Sequence, residues 1–437
     1  MLNSSVLKVC SPPSFFLLCF IIITAFSCCS AEEPIAFHAH PMDEIPIADC
    51  HVHMVDFLQN GGYLHKGNEV APEASSALPS GSRHLRIELL LWKMEQCNIS
   101  DALICGMPFI KKWNEDDPFR SAYYLSSSSR VVRARDTDYT IALAVEDFRN
   151  AKPEKFEKEF QRIYPFICGF DGTDVGAVGM IIKRIKEFPG VWKGIGEVMS
   201  RHDDLTNLTL GERPRANHSS LFRIYDFAGQ HGLPVSLHHN IAPIAHDGKD
   251  HGTRYLREII DAFETFPKTQ FIWCHAGISR RIVVDDLVEI HTEILSRHSN
   301  HVCLDLSWVV FEDYILERDE QRNLVLDSDG DPKVRKEWIE LIERYPNNFM
   351  LGSDVVADFR KYHGSIRKYN ALLKVLNPET RKLIANGNFR RVMPTKGLTL
   401  PMEYQYPESR FTRYEGPLEN APDKSGNSLD ELKSNLE

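Results

Sequence analysis

Asp49-Cys-His-Val-His53 sets two imidazoles two residues apart in an apolar run that reads as a strand. Successive side chains of a strand point to opposite faces, so His51 and His53 share one face. Two imidazoles on one rigid element bind a zinc-like ion with little ordering cost. A His-x-His pair alone is a weak signal, because chance produces it often. It gains weight from further nitrogen and oxygen donors that close later apolar runs, namely Glu197, His238, His275 and Asp354.

Such donors need an architecture that gathers strand ends. Short apolar runs alternate with longer amphipathic stretches, the rhythm of a parallel α/β protein. Strands are expected at 45–53, 101–107, 166–170, 192–198, 234–239, 271–275, 301–306 and 349–354. Eight of them predict a (β/α)8 TIM barrel, in which all C-terminal strand ends open on one mouth. Strands one, four, five, six and eight would then deliver the six donors to a single place. Helices are expected at 85–96, 178–188, 221–230, 255–266, 334–344 and 366–376, several stopped by Gly or Pro, as at Gly232 and Pro346. Residues 139–148 could form a ninth strand, but their alanines favour a helix begun near Asp136 or Thr137. The barrel is assigned to residues 40–400. Residues 401–437 are assigned to a polar C-terminal extension that wraps and then frays.

Taken together, His51-x-His53, Gly194-Ile-Gly-Glu197, Pro234-Val-Ser-Leu-His238, Cys274-His275-Ala-Gly277 and Leu351-Gly-Ser-Asp354 resemble the amidohydrolase superfamily, specifically its amidohydrolase-related branch. Ile384-Ala-Asn-Gly-Asn388 is similar to that branch's final-helix motif, and the resemblance spans about residues 45–392. It implies that His51 and His53 hold the more buried metal with Asp354 as a further ligand. His238 and His275 would bind a second metal, or one of them would orient substrate. Many superfamily members bridge two metals with a carbamylated lysine on strand four. Glu197 stands there instead, which resembles the members that bridge with glutamate and leaves one or two ions open. Lys193, deeper on the same strand, is not assigned as the bridge.

The chemistry implied is that of a divalent metal, with Zn2+ expected, since bound zinc lowers the pKa of its water to ~7. Asp354 is the candidate general base in hydrolysis of a C–N, C–O or P–O bond of a small-molecule substrate. The alternatives are a metal-dependent decarboxylase of the same branch and a catalytically silent ligand-binding barrel. Six donors in one pattern argue against the silent barrel. His202 and Arg280 on mouth loops, and Trp308 after strand seven, are candidate substrate-binding residues; Arg280 is also the candidate carboxylate clamp of a decarboxylase. His239 should face away from the mouth. Asp49, with the parity of His51, is expected to be a structural hydrogen-bonder. Lys111-Lys112 and Asp116-Asp117 lie on a loop long enough to cover the mouth.

A formal net charge of −10 lacks the basic footprint of a nucleic-acid binder. The apolar run 15–26, preceded by Lys8 and followed by small residues 27–31, reads as a secretory leader, since a spanning helix needs ~20 apolar residues. A cleaved signal peptide over 1–31 is expected, placing the protein outside the cytoplasm with no stable membrane span. A retained anchor or lipidation at Cys28 or Cys29 is the alternative. Cys50, Cys97, Cys105, Cys168, Cys274 and Cys303 fall mostly in apolar runs and are expected to be free, buried thiols. Asn98, Asn207 and Asn217 open glycosylation triplets, which matter only in a eukaryotic host. A homo-oligomer is compatible with the sequence.

Overall fold

The computed structural model describes residues 40–55, 83–107, 137–202, 214–245 and 247–407, and the backbone of a short ribbon, His65–Lys66 with Glu69–Val70. The leader, the loop bearing Lys111, Lys112, Asp116 and Asp117, the triplet at Asn207 and the tail past residue 407 lie outside the described residues. Of two compact units, Met1–Pro41 and Met42–Glu437, the second carries every element named below.

Eight parallel strands run in sequence order: β1 (Ile47–His53), β2 (Ile99–Cys105), β3 (Ile163–Ile167), β4 (Gly194–Ser200), β5 (Val235–His239), β6 (Phe271–Trp273), β7 (Val302–Asp305) and β8 (Phe349–Met350). A ninth, β9 (Val355–Val356), pairs with β1 at Val52 and His53. Asp49 bridges to Leu351 and Cys50 N–H donates to the Leu351 carbonyl, so the sheet closes on itself as a TIM barrel. Helices fill the connections: α1 (His84–Gln96), α2 (Thr137–Ala151), α3 (Pro153–Phe160), α4 (Ala177–Glu187), α5 (Ser219–His231), α6 (Leu256–Thr265), α7 (Leu287–His298), α8 (Lys336–Arg344), α9 (Tyr362–Arg367) and α10 (Asn370–Val375). Two more, α11 (Pro378–Lys382) and α12 (Asn388–Val392), continue after α9 and α10, and all four follow the last strand. Among the described residues no helix is long and apolar enough to cross a membrane.

Strands covered on both faces are buried on both, and all seven residues of β1 are buried. Outward side chains such as Val52, Ile104, Ile195 and Leu237 join the core beneath the helices. Inward ones, including Cys50, Leu103, Cys105, Phe166, Ile272 and Met350, form a separate core with Phe389 of α12. Cys50, Cys105, Cys168 and Cys303 belong to this inner core as small apolar groups, and all six described cysteines are free and buried.

Several elements depart from the expected pattern for local reasons. Residues 139–148 are helical within α2, as their alanines require. β3 starts and ends three residues before the expected 166–170. The Pro165 carbonyl already accepts from Lys193 N–H, while Cys168 and Gly169 N–H groups donate to the Asp138 carboxylate rather than to a strand. β6 stops at Trp273 because His275 and Ala276 take left-handed φ values of 54° and 49°. β8 ends at Met350, and Asp354 also has a positive φ, 48°. The register of β1 against β2 shifts between Asp49 and Val52, so Asp49 does not keep step with His51. Its carboxylate accepts the backbone N–H of His51 and of Ser353, a structural role. The start of the C-terminal extension lies along α4 and α5: Lys186 donates to the carbonyls of Met402 and Tyr404, and the Tyr406 hydroxyl donates to Asp226.

Gly194 opens β4 where a Cβ would overlap the Phe166 ring of the inner core. Gly194→Ala is therefore expected to cost about 1–3 kcal/mol. Gly179→Ala, on the exposed side of α4 with nothing near its Cβ, should gain up to ~1 kcal/mol. Urea midpoints measure both; a Gly194→Ala protein as stable as its parent would contradict this packing.

Candidate metal centre

The mouth of the barrel is built from strand ends and the turns that follow them. His51 and His53 close β1, His238 lies in β5, and Glu197 sits inside β4, which runs three residues past it to Ser200. His275 and Asp354 stand in the turns after β6 and β8 rather than on the strands. The structure nevertheless brings all six together. Glu197 is central: its Oε2 lies 3.2 Å from His53 Nε2 and 3.6 Å from His51 Nε2. Its Oε1 lies 3.0 Å from His238 Nδ1 and 3.6 Å from His275 Nε2. Asp354 Oδ1 is 3.7 Å from His51 Nε2 and 3.6 Å from His53 Nε2.

Hydrogen bonds on the far sides of the rings decide what these atoms offer. His53 Nδ1 is 2.7 Å from the Gly106 carbonyl, and His51 Nδ1 is 2.8 Å from Asp305 Oδ2. Both partners only accept, so each Nδ1 carries a proton, and in the neutral form that a metal ligand must take, each ring turns its Nε2 lone pair inward. The two Nε2 atoms are 3.2 Å apart, with carboxylate oxygens beside them. Four lone-pair donors facing one point repel unless positive charge lies among them. Donors ~2.0–2.2 Å from a common ion stand roughly 3.3–3.6 Å apart in a tetrahedron, which the 3.2–3.6 Å separations among His51 Nε2, His53 Nε2 and Glu197 Oε2 match. These three donors fit one divalent ion, and Asp354 Oδ1 stands 3.6–3.7 Å from both imidazoles, as a further ligand would. Glu197, His238 and His275 form a second group of suitable donors.

His238 lies between two acceptors, its Nε2 3.1 Å from Asn240 Oδ1 and its Nδ1 3.0 Å from Glu197 Oε1. His275 Nδ1 is 2.7 Å from Ser307 Oγ, and that hydroxyl donates to Asp305 Oδ2 at 2.7 Å. One fully buried carboxylate therefore orients two rings, His51 directly and His275 through Ser307. Asp305, Ser307 and Asn240 were not singled out in the sequence. Asp305 carried a usable signal, an acid closing the apolar run Val302-Cys-Leu-Asp305 just as Glu197 and Asp354 close theirs.

Titration behaviour expresses the same demand for positive charge. Burial works against a charged His51 and His53, yet Glu197 beside both rings, with Cys105 at His53, raises each well above the ordinary imidazole range. Burial likewise works against a charged Glu197, but His51, His238 and His275 hold it well below the usual carboxylate range. Asp305, buried but bonded to His51, is lowered to about 2. Burial lowers His238, and lowers His202 further with His238 beside it.

A cavity of about 200 Å³ opens over these groups, and His202, Arg280 and Trp308 line it with Glu197, His275 and Asp354. His202 stacks on His238 at 4.3 Å, and the Arg280 guanidinium lies 5.2 Å from the Trp308 ring centre. Asp354 is 14% exposed, against 1–3% for the other five donors. His239 turns away, between Ser200 Oγ and the Tyr255 carbonyl. Lys193 is far from the mouth, bonded to the carbonyls of Phe160 and Ile163. Elsewhere, Asp327, Asp329 and Asp331 form an acidic cluster whose centre is filled by Lys374 Nζ, 2.6–2.8 Å from each. Asn217 is buried and bonded to Asp261, which leaves no room for a glycan.

A family model described as Amidohydrolase matches residues 48–394. Among solved structures, the chain is similar to an amidohydrolase from Burkholderia multivorans with bound zinc, at 14% identity over 80% of this chain and 100% of that one, with a TM-score of 0.41. It is similar to 2,6-dihydroxybenzoate decarboxylase from Rhizobium at 11% identity, over 79% of this chain and 98% of that one, with a TM-score of 0.40. An uncharacterized TIM-barrel protein from Bordetella bronchiseptica gives 13% identity over 79% and 98%, with a TM-score of 0.40. No curated protein matches the chain.

The Asp305 network yields a direct test. Asp305→Ala removes the acceptor that fixes His51 and, through Ser307, His275, and should weaken divalent-metal binding by about 10–100-fold. Competition against a chromophoric chelator reads the affinity; an unchanged value would show that Asp305 does not set the donor geometry.

Proposed function

The chain belongs to the amidohydrolase family, and on that premise we propose that it is a metal-dependent hydrolase of a small organic substrate with Asp354 as general base. His51, His53, Asp354 and Glu197 would hold one divalent ion, and Glu197, His238 and His275 a second. When bound, such an ion supplies Lewis acidity that makes water a nucleophile near neutral pH and polarises the scissile bond. The observation that carries the proposal is the placement of Asp354. It is the more exposed of the two donor carboxylates that line the cavity, 14% against 2% for Glu197, which is enclosed by four imidazoles.

In this reading Asp354 takes a proton from the attacking water and returns it to the leaving group. Its backbone is held for that task by the Asp354 N–H donating to the His51 carbonyl at 2.9 Å. The substrate's acyl carbon or phosphorus gains the water oxygen, and the C–N, C–O or P–O bond breaks. His202, Arg280 and Trp308 would meet the rest of the substrate. A cavity of about 200 Å³ suits a compact one, below the ~300 Å³ lower bound of drug-sized pockets. One observation favours a second reading. Arg280 beside the face of Trp308 is suited to grip a carboxylate on a flat substrate, which would make the reaction a decarboxylation. Zinc is the ion we favour from the all-nitrogen-and-oxygen donors, with manganese, iron and cobalt compatible. The apolar run 15–26 supports export to an extracytoplasmic compartment; N-terminal sequencing of exported protein beginning near residue 31 would bear this out, and a retained Met1 would oppose it.

A panel of amides, lactones, phosphoesters and aryl carboxylates should contain a substrate on which Asp354→Asn lowers kcat by about 10²–10⁴-fold. Turnover in H2(18)O separates the two chemistries. Label in the new carboxylate or phosphate supports hydrolysis, whereas CO2 release with no label in the remaining organic product sinks it in favour of decarboxylation.

A further inference from the structure

A second hollow lies away from the metal centre, beside the N-terminal ends of the strands. A half-open cavity of about 920 Å³ lies between α3, the loop into β4 and the segment after α12. Its wall carries six Lys and Arg side chains against two acids, Asp101 and Glu157. Most of these cations already have partners. Arg390 pairs with Asp101, Arg149 with Glu146, and Arg162 with Glu159. Lys193 differs. It is 1% exposed, and its ammonium donates to two carbonyls, Phe160 O and Ile163 O, both at 2.8 Å. Among the described residues no carboxylate lies within ion-pairing distance of it, and an ammonium has a third N–H to give.

A buried charge without a counter-ion is a costly arrangement, and a bound anion is the direct remedy. Burial lowers Lys193 to about 8, with only Asp101 opposing. The surroundings indicate what would accompany the anion. The Lys193 ammonium lies 4.3 Å from the Tyr164 ring centre and 4.6 Å from that of Phe160. Phe160 stacks on Phe156 at 4.8 Å, and Met393 completes an apolar wall. Lys396 adds an exposed cation on the same lining.

We propose that this cavity is a second binding site, remote from the metal centre, for a small organic acid that pairs a carboxylate with a flat apolar body. The carboxylate approaches Lys193 and the flat body lies against Phe160 and Tyr164. The proposal does not depend on which reaction the metal centre performs.

The test is calorimetric titration of the full chain with benzoate as probe, with benzamide as the neutral isostere, before and after removal of metal by chelation. Benzoate is expected to keep one binding equivalent after the metal is removed, and benzamide to bind there at least about tenfold more weakly, the value of one charge-assisted contact. Lys193→Met should lose about tenfold or more by the same reasoning, and Lys396→Glu, a surface change, several-fold. If Lys193→Met fails to fold, the Lys396→Glu and benzamide arms still decide. Absence of benzoate binding, binding that vanishes with the metal, or affinity indifferent to Lys396→Glu and to the benzamide exchange would overturn it. Lys193 would then be only a tie between α3 and β3.

Discussion

The mouth of this barrel depends on one electrostatic constraint. His53 is committed to the Gly106 carbonyl and His51 to Asp305, so both rings present lone pairs where Glu197 and Asp354 already present negative oxygens. In a low-dielectric interior such an arrangement is tolerable only around positive charge. The upward displacement of His51 and His53 and the downward displacement of Glu197 and Asp305 are four expressions of that constraint.

The rest of the fold can be understood as support for it. Parallel strands bring their C-terminal ends to one rim, and an inner core of Cys, Leu, Phe, Ile and Met fixes their spacing below. Two donors cannot be reached by straight strands. His275 and Asp354 both sit in left-handed turns, a conformation that costs non-glycine residues of order 1–3 kcal/mol. Local hydrogen bonds offset part of it: Ile278 N–H donates to the His275 carbonyl, and Asp354 N–H to that of His51. Of the nine described non-glycine residues with positive φ, these two are candidate ligands.

Much of this was legible in the sequence, because a TIM barrel repeats one signal eight times and a polar residue closing an apolar run stands out. The (β/α)8 class and the gathering of His51, His53, Glu197, His238, His275 and Asp354 come from that rhythm, and the helix at 139–148 from its alanines. What was not legible has physical causes. Strand ends are set by which groups take the backbone hydrogen bonds, so the Asp138 carboxylate ends β3 from 30 residues away in sequence. The Asp49–Val52 register shift is invisible to a period-two pattern, and so Asp49 was placed in step with His51. Asp305 was passed over because its role lies in a ring 254 residues distant, although its position at a strand end was on view.

The donors surrounding Glu197 should hold a divalent metal. Anomalous X-ray diffraction from crystals of the zinc-loaded chain, recorded on both sides of the zinc edge, tests it most directly. The account predicts an ion about 2.0–2.2 Å from His51 Nε2, His53 Nε2 and Asp354 Oδ1, with His51 still bonded to Asp305 and His53 to the Gly106 carbonyl. Fully occupied zinc elsewhere, with no anomalous peak among these atoms, would contradict it.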